Sequence, residues 1–305
     1  MSKASLDGIL LVDKPAGITS AGVVREVKRR LRVAKIGHLG TLDPFATGLL
    51  PLALGEAAKI VPYLNQETKA YEGTIALGRT TNTLDSTGET TETAPVPPFD
   101  EVTLRSVSDR FRGTIEQVPP MFSALKRSGV RLYELARQGI EVEIEPRTVA
   151  IELFSLVPAS ADLLMLRVRC SKGTYVRSLA RDIARALGTV GHLASLRRTA
   201  FGRFDVDEAI PLDGISPAAR LLAPRDALAG MREFSVADAL VADLRHGEQR
   251  GLAALPAGGD GDTAKVIGPD GALVAVVCAA GSRWRLLRVL APAAASPGVP
   301  SVGVS

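Results

Sequence analysis

The residue whose setting most invites chemistry is Asp43, in the stretch "GHLGTLDPFATGLLPLALGEAAK" (37–59), which is otherwise almost free of acid. Pro44 disfavours the α region at the residue before it, so Asp43 belongs on an extended or turn backbone, not inside a helix. Gly37, Gly40 and Gly48 let the chain bend tightly or let a ligand come close. A carboxylate presented in this way can act as a nucleophile or support a cationic intermediate. An isolated Asp-Pro turn is more often structural, so the neighbourhood must decide. The three histidines and two cysteines show no zinc-ligand spacing, and no P-loop or dinucleotide-binding glycine pattern occurs. The expectation is a site with no metal and no cofactor. Cys170 and Cys278 lie in apolar runs and read as buried free thiols in a reducing cytosol.

Charge points to a partner. Net charge is only +4, but its distribution is uneven. Residues 25–35 hold Arg25, Lys28, Arg29, Arg30, Arg32 and Lys35 against Glu26 alone. Residues 167–203 hold nine Lys/Arg against Asp182 alone. Two basic blocks suggest a polyanion, because each cation near a phosphate releases condensed counterions. Solvated helix faces are the plainer alternative for each block. The N-terminal apolar run of five residues is too short for a secretory segment, and no later run approaches the roughly 18 residues of a membrane span. A cytoplasmic, membrane-free protein is expected.

The elements that must hold Asp43 follow from periodicity. "TSAGVVREVKRRLR" (19–32) reads as a helix capped by Thr19 or Ser20, with Val23, Val24, Val27 and Leu31 inward and a basic outer face. "GLLPLALG" reads as a buried strand and "EAAKIVPYL" as a short helix. Residues 69–78 alternate as a strand, with Tyr71, Gly73, Ile75 and Leu77 on one face, and a polar loop or hairpin excursion follows. A helix is expected over 103–112, an extended loop over "VPPMFSALKRSG", and a helix "RLYELARQG" ended by Gly139. Strands are expected at 147–157 and 163–170. A helix is expected over 173–188, capped by Thr174, with Val176, Leu179, Ala180, Ile183 and Leu187 inward and Gly188 at its end. Residues 231–292 give short strand signals between Gly-rich turns, a small β-rich unit. The last stretch, 293–305, has no apolar period and reads as disordered. At 305 residues, two domains fit.

The longer strings carry a resemblance. "GHLGTLDPFATGLLPLALGEAAK" resembles the central motif of the TruB family of tRNA pseudouridine synthases. "ILLVDKPAGITS" (9–20), "KAYEG" at Tyr71, "DSTGE" from Asp85, "VPPMFSALKRSGVRLYELARQGIEVE" (118–143), "CSKGTYVRSLARDIARALG" (170–188) and "LASLRRTAFGRF" (193–204) match that family in order. The similarity runs over about 8–210 and weakens through the C-terminal unit, which resembles a PUA-type RNA-binding module. The fold implied is α+β: a pseudouridine-synthase catalytic domain (1–228) with a mixed, mainly antiparallel sheet flanked by helices and an RNA-clamp insertion near 118–146. A PUA-like domain (229–292) would follow.

The resemblance implies isomerisation of uridine-55 in the T loop of tRNA, with the base flipped out of its stack. Asp43 is the implied catalytic residue, Arg177 the cation that holds its pKa down, and Tyr71 a stacking group able to take a proton. His38, Lys14, Lys126, Asp85, Tyr175 and Leu196 are implied or plausible contacts to RNA. Asp85 could instead orient Arg177, and Leu196 would pack on the flipped base. Arg25, Arg29 and Arg32 would meet phosphates from the basic helix. The partner is the T stem-loop of tRNA, and a monomer is expected. A guide-dependent, dyskerin-like synthase and a non-catalytic RNA-binding protein or tRNA-folding chaperone are the alternatives. Damage at Asp43, Tyr71 or Arg177 would favour the last, and all three residues are intact.

Overall fold

The computed structural model describes residues 6–64, 68–123, 125–127, 129–140 and 142–292. The expected tail, 293–305, lies outside them. Strand β1 (Gly8–Lys14) leads into α1 (Ser20–Leu31), which starts where Thr19 Oγ1 accepts the Gly22 N–H at 2.9 Å. Val23, Val27 and Leu31 go into the core, and Arg25, Arg29 and Arg32 stay exposed. β2 (Ile36–His38) and β3 (Thr47–Leu54) pair antiparallel, leaving Asp43 on the loop between them. The single helix expected over 56–64 breaks into a 3₁₀ turn (Gly55–Lys59) and the one-turn α2 (Val61–Leu64). Pro62 lacks the N–H that would continue the first into the second.

β4 (Lys69–Leu77) turns Tyr71, Ile75 and Leu77 inward as the alternation requires. β5 (Arg79–Thr81) and β6 (Thr90–Thr93) form the expected excursion. α3 (Glu101–Arg110) begins two residues before its expected start, because Asp100 Oδ1 caps it through the Thr103 N–H at 2.8 Å. After β7 (Gly113–Gln117), the extended stretch contains a two-residue ladder, β8 (Lys126–Arg127) with β9 (Val130–Arg131). α4 (Leu132–Arg137) then closes at Gly139, whose φ is +71°. β10 (Arg147–Pro158) and β11 (Leu163–Cys170) fall where expected. α5 (Val176–Ala186) is shorter than the expected 173–188. Thr174 does not cap it: its hydroxyl donates to Ser171 O at 3.0 Å, and Tyr175 takes the cap position. β12 (Gly191–Phe201), β13 (Phe204–Asp205), β14 (Ile210–Pro211) and α6 (Pro224–Ala227) complete the first unit.

The main sheet runs β14-β1-β3-β12-β4-β11-β10-β7, with β13 on β12 and β2 on β3. Its β1–β14 and β3–β12 pairs are parallel and its other pairs antiparallel, the mixed, mainly antiparallel sheet expected. α1, α3 and α5 cover one face through Val27, Leu104, Val107, Leu179 and Ile183. The second unit is a four-stranded sheet of β15 (Arg232–Ser235), β16 (Thr263–Ile267), β17 (Leu273–Ala280) and β18 (Arg283–Val289), packed with α7 (Asp238–Arg245). It does not stand apart. One apolar cluster joins Ile9, Leu39, Leu49 and Phe201 of the first unit to Ile267, Val276 and Leu290 of the second. Both cysteines are free; Cys170 is buried, whereas Cys278 is only half-buried.

The feature that makes a site is a parting of strands. β3 and β12 pair at Thr47↔Arg197 and Gly48↔Arg198 and then separate. Gly48 is required at the junction: its φ is +97°, and a Cβ there would sit 2.3 Å from Arg198 O. A cleft of about 770 Å³ opens beside the junction, lined by Pro44, Phe45, Thr47, Ser86, Thr87 and Leu196 among others.

Candidate active site

The loop that carries Asp43 is held from the β1–α1 connection. Ser20 Oγ and Leu42 exchange two hydrogen bonds, at 2.9 and 3.0 Å, and the Gly17 N–H bonds Pro44 O at 2.8 Å. Lys14, with no exposed surface, donates through Nζ to Pro15 O, Pro44 O and Ala46 O at 2.9, 3.2 and 2.6 Å. The string "DKPAGITS" thus braces the loop that carries Asp43. Lys14 was expected at a phosphate; its Nζ is instead turned inward onto the Asp43 loop. Burial and the nearby Arg198 charge push its ammonium down to about 8, against the pull of Asp43.

Arg177 meets Asp43 from the first turn of α5. Its Nε lies 2.9 Å from Asp43 Oδ2, and its Nη2 donates to Asp43 Oδ1 at 3.3 Å. The rest of the guanidinium is fixed by Thr83 O at 2.7 Å, Phe122 O at 2.8 Å and Asp85 Oδ2 at 3.6 Å. At 5% side-chain exposure, Arg177 faces Asp43 and not solvent phosphate. Asp85 is also buried and stands behind Arg177, the position its alternative role requires. Its Oδ1 accepts from Thr83 Oγ1, Thr87 Oγ1 and the Thr87 N–H at 2.8, 2.6 and 3.0 Å. Leu84 carries the unusual φ of +61° that turns this segment toward Arg177.

Asp43 keeps 34% side-chain exposure. Burial nonetheless pushes its carboxyl above the ordinary value, with Asp85 adding to the rise, and the Arg177 and Lys14 charges pull against it. The expectation that a cation holds this pKa down is therefore half right: the cation is there, but desolvation outweighs it.

Tyr71 is buried on β4, and the Asp43 charge is close enough to act on its phenol. Burial raises that phenol, and the Arg198 guanidinium opposes the rise. Leu196 is buried at the cleft wall. His38 is half-buried with Nδ1 lacking a hydrogen-bond partner, and burial with the Arg198 charge lowers its imidazole. Tyr175 is half-buried under the Arg147 guanidinium, 4.5 Å from ring centroid, and Gln117 brackets its backbone at 2.8 and 3.1 Å. The side chain of Lys126 lies outside the described residues. Arg25, Arg29 and Arg32 are exposed, with Arg29 bound twice to Glu26 at 2.6 and 3.0 Å.

The basic block at 167–203 is divided: Arg177 and Arg198 are buried, whereas Arg167, Lys172, Arg185 and Arg203 are exposed. Arg177 pairs with Asp43 and Asp85, Arg197 with Asp13, Arg167 with Glu72 and Arg181 with Asp182. Arg198 is fully buried. Sequence reasoning missed Arg198, Thr83, Thr87 and Gln117. An arginine inside a basic run carries no local mark of burial. Among the described residues no group of His, Cys, Asp and Glu could hold a metal ion, and no helix is long and apolar enough to cross a membrane.

The chain that builds this site, Asp43 held by the buried Arg177 where two parallel strands part, matches the pseudouridylate synthases, a class of RNA-modifying isomerase. The TruB family pseudouridylate synthase N-terminal domain matches residues 28–176, and the tRNA pseudouridylate synthase B C-terminal domain matches 177–229. A tRNA pseudouridine synthase B of Aromatoleum aromaticum is 51% identical over 78% of this chain and 79% of its own length. That of Geobacter sulfurreducens is 42% identical over 93% of this chain and 99% of its own. An H/ACA RNP structure bound to a substrate RNA containing 2'-deoxyuridine superposes with a TM-score of 0.71 over 93% of this chain and 85% of that one, at 24% identity, a likeness of fold alone. The chain belongs to the TruB family of tRNA pseudouridine synthases.

Proposed function

We propose that the protein converts uridine-55 in the T loop of tRNA to pseudouridine, acting as a monomer in the cytoplasm, with Asp43 as the catalytic carboxylate. The reaction breaks the N1–C1′ bond and forms a C5–C1′ bond. C5 loses a proton and N1 gains one, so nothing else is consumed. Attack at C1′, attack at C6 and support of a sugar-centred intermediate all need the same ionised carboxylate at the glycosidic bond. The observation that carries this reading is the Arg177–Asp43 pair, at 2.9 Å, beside the cleft lined by Pro44 and Phe45.

A base inside a folded RNA must leave its stack before Asp43 can reach its sugar, and the cleft volume suits one extruded nucleotide. Leu196 and Tyr71 would hold the flipped base, and Tyr71 would receive the C5 proton. An ordinary phenol, near pKa ~10, is already a weak base at neutral pH, and burial raises Tyr71 further, so this step needs a neighbouring charge. His38 would press on the RNA as a neutral ring. Lys126 and the clamp segment would close over the loop, Tyr175 would flank it, and the C-terminal sheet would bind RNA beyond it.

The test is nucleotide-resolved pseudouridine formation in unmodified tRNA, with wild type beside Asp43→Asn. Conversion confined to the T-loop uridine and abolished in Asp43→Asn, with binding kept, is expected. Conversion by the variant at near wild-type rate removes Asp43 from the chemistry, and binding without conversion by wild type removes the enzyme reading.

A further inference from the structure

Arg198 has no place in the roles above, yet it is among the largest fully buried side chains of the protein. Its hydrogen bonds go to carbonyls and to no carboxylate. Nε donates to Leu49 O at 2.7 Å and Nη2 to Gly40 O at 3.1 Å, while Nη1 is buried without a partner. Removing a guanidinium from water without a paired acid costs several kcal/mol, so packing alone does not account for it.

Its position gives the reason. Arg198 sits on β12 at the point where that strand leaves β3, and Leu49 O on β3 is a carbonyl that the parting strands no longer share. Gly40 O belongs to the loop that carries Asp43. On the other side Arg198 is the cross-strand neighbour of Tyr71 on β4, near enough for its charge to act on the phenol. One side chain therefore ties together the β3 edge, the Asp43 loop and Tyr71. A Cβ on Gly40 would come within 3.4 Å of Nη1, so this loop approaches the guanidinium closely.

We infer that Arg198 is the positioning residue for Tyr71: it fixes the phenol relative to the Asp43 loop and supplies the positive charge beside its oxygen. This rests on the proposed role of Tyr71. The charged or titratable groups acting on the phenol are Arg198 from β12, Cys170 from β11 and Asp43 from its loop. Cys170 and Asp43 both disfavour phenolate, and Arg198 alone of the three favours it.

The experiment is a cycle of Tyr71→Phe, Arg198→Met and the double variant, with Arg198→Lys as the milder change should Met impair folding. Single-turnover conversion of tRNA, its pH profile and tRNA affinity are measured for each. The chain has four tyrosines, so 3-fluorotyrosine labelling with ¹⁹F NMR gives a few resolvable resonances, and Tyr71→Phe assigns the one that matters. Arg198→Met should lower the conversion rate about 100-fold, keep affinity within about twofold and displace the rising limb of the pH profile to higher pH. In the double variant the losses should not multiply, and Arg198→Lys should restore part of the rate. The Tyr71 fluorine resonance should shift in Arg198→Met while the other three hold. A fold-intact Arg198→Met with wild-type rate, losses that multiply, or an unmoved Tyr71 resonance would overturn the inference. Wild type that makes no pseudouridine defeats the proposed function instead, and the fluorine shift still decides whether Arg198 positions Tyr71.

Discussion

At the scale of single residues, the site is a carboxylate kept in an unfavourable place. Burial raises the Asp43 carboxyl above its ordinary 3.8, so the folded chain binds its proton more readily than the unfolded chain does. The sign follows: from about that pH upward, through the folded pKa, this group makes stability fall as pH rises. Asp43→Asn lacks the effect. Its stability relative to wild type should therefore grow across the acid window, measured by urea unfolding between about pH 4 and 7. A relative stability that instead declines would mean that Arg177 outweighs burial. Lys14 gives the complementary test. With Nζ closed off among three carbonyls, Lys14→Met should lower conversion about 10- to 100-fold by loosening the Asp43 loop, and leave tRNA affinity unchanged. A matching loss of affinity in a filter-binding assay would return Lys14 to the RNA.

At the scale of elements, the junction of β3 and β12 is the least forgiving point. Gly48 has both a positive φ and backbone of Arg198 where its Cβ would go. Gly48→Ala should thus destabilise the protein by at least about 2 kcal/mol, read as a lowered unfolding midpoint. A stability within error of wild type would show that the strands separate differently in solution. The same junction marks where sequence reading ended. α1, β4 and β11 announce themselves through clean 3.6- or 2-residue periods. β12 does not: bulges at Leu193/Ser195 and Arg198/Ala200 shift its alternation twice, and two arginines occupy its centre. The turn setting of Asp43 was legible from Pro44 and its glycines, and its pairing with Arg177 only through the family motifs. Arg198 and the bracing threonines around Asp85 were not, because burial of a polar side chain is set by tertiary partners that local pattern does not encode.

At the scale of the whole molecule, charge is apportioned between two tasks that the sequence alone merges. The arginines of the 167–203 block divide: Arg177 and Arg198 are buried within the site, Arg181 and Arg197 pair with Asp182 and Asp13, and Arg167, Arg185 and Arg203 stay exposed. The helix α1 is different. Arg25 and Arg32 are exposed, and Arg29 engages only Glu26 across an exposed pair of small worth. If α1 faces the RNA, its three arginines acting on three phosphates account for about 2 to 3 units of the slope of log affinity against log salt. Neutralising Arg25, Arg29 and Arg32 together should flatten the slope by that amount. Conversion of bound tRNA under single-turnover conditions should stay near wild type, since none of the three touches Asp43, Tyr71 or Arg177. The alternative has its own signature. A slope unchanged by the triple neutralisation would turn α1 away from the nucleic acid and leave the long-range attraction to the other exposed cations, Arg185 and Arg203 of the catalytic unit and Arg283, Arg285 and Arg288 of β18, on the C-terminal sheet that Ile267, Val276 and Leu290 fasten to that unit.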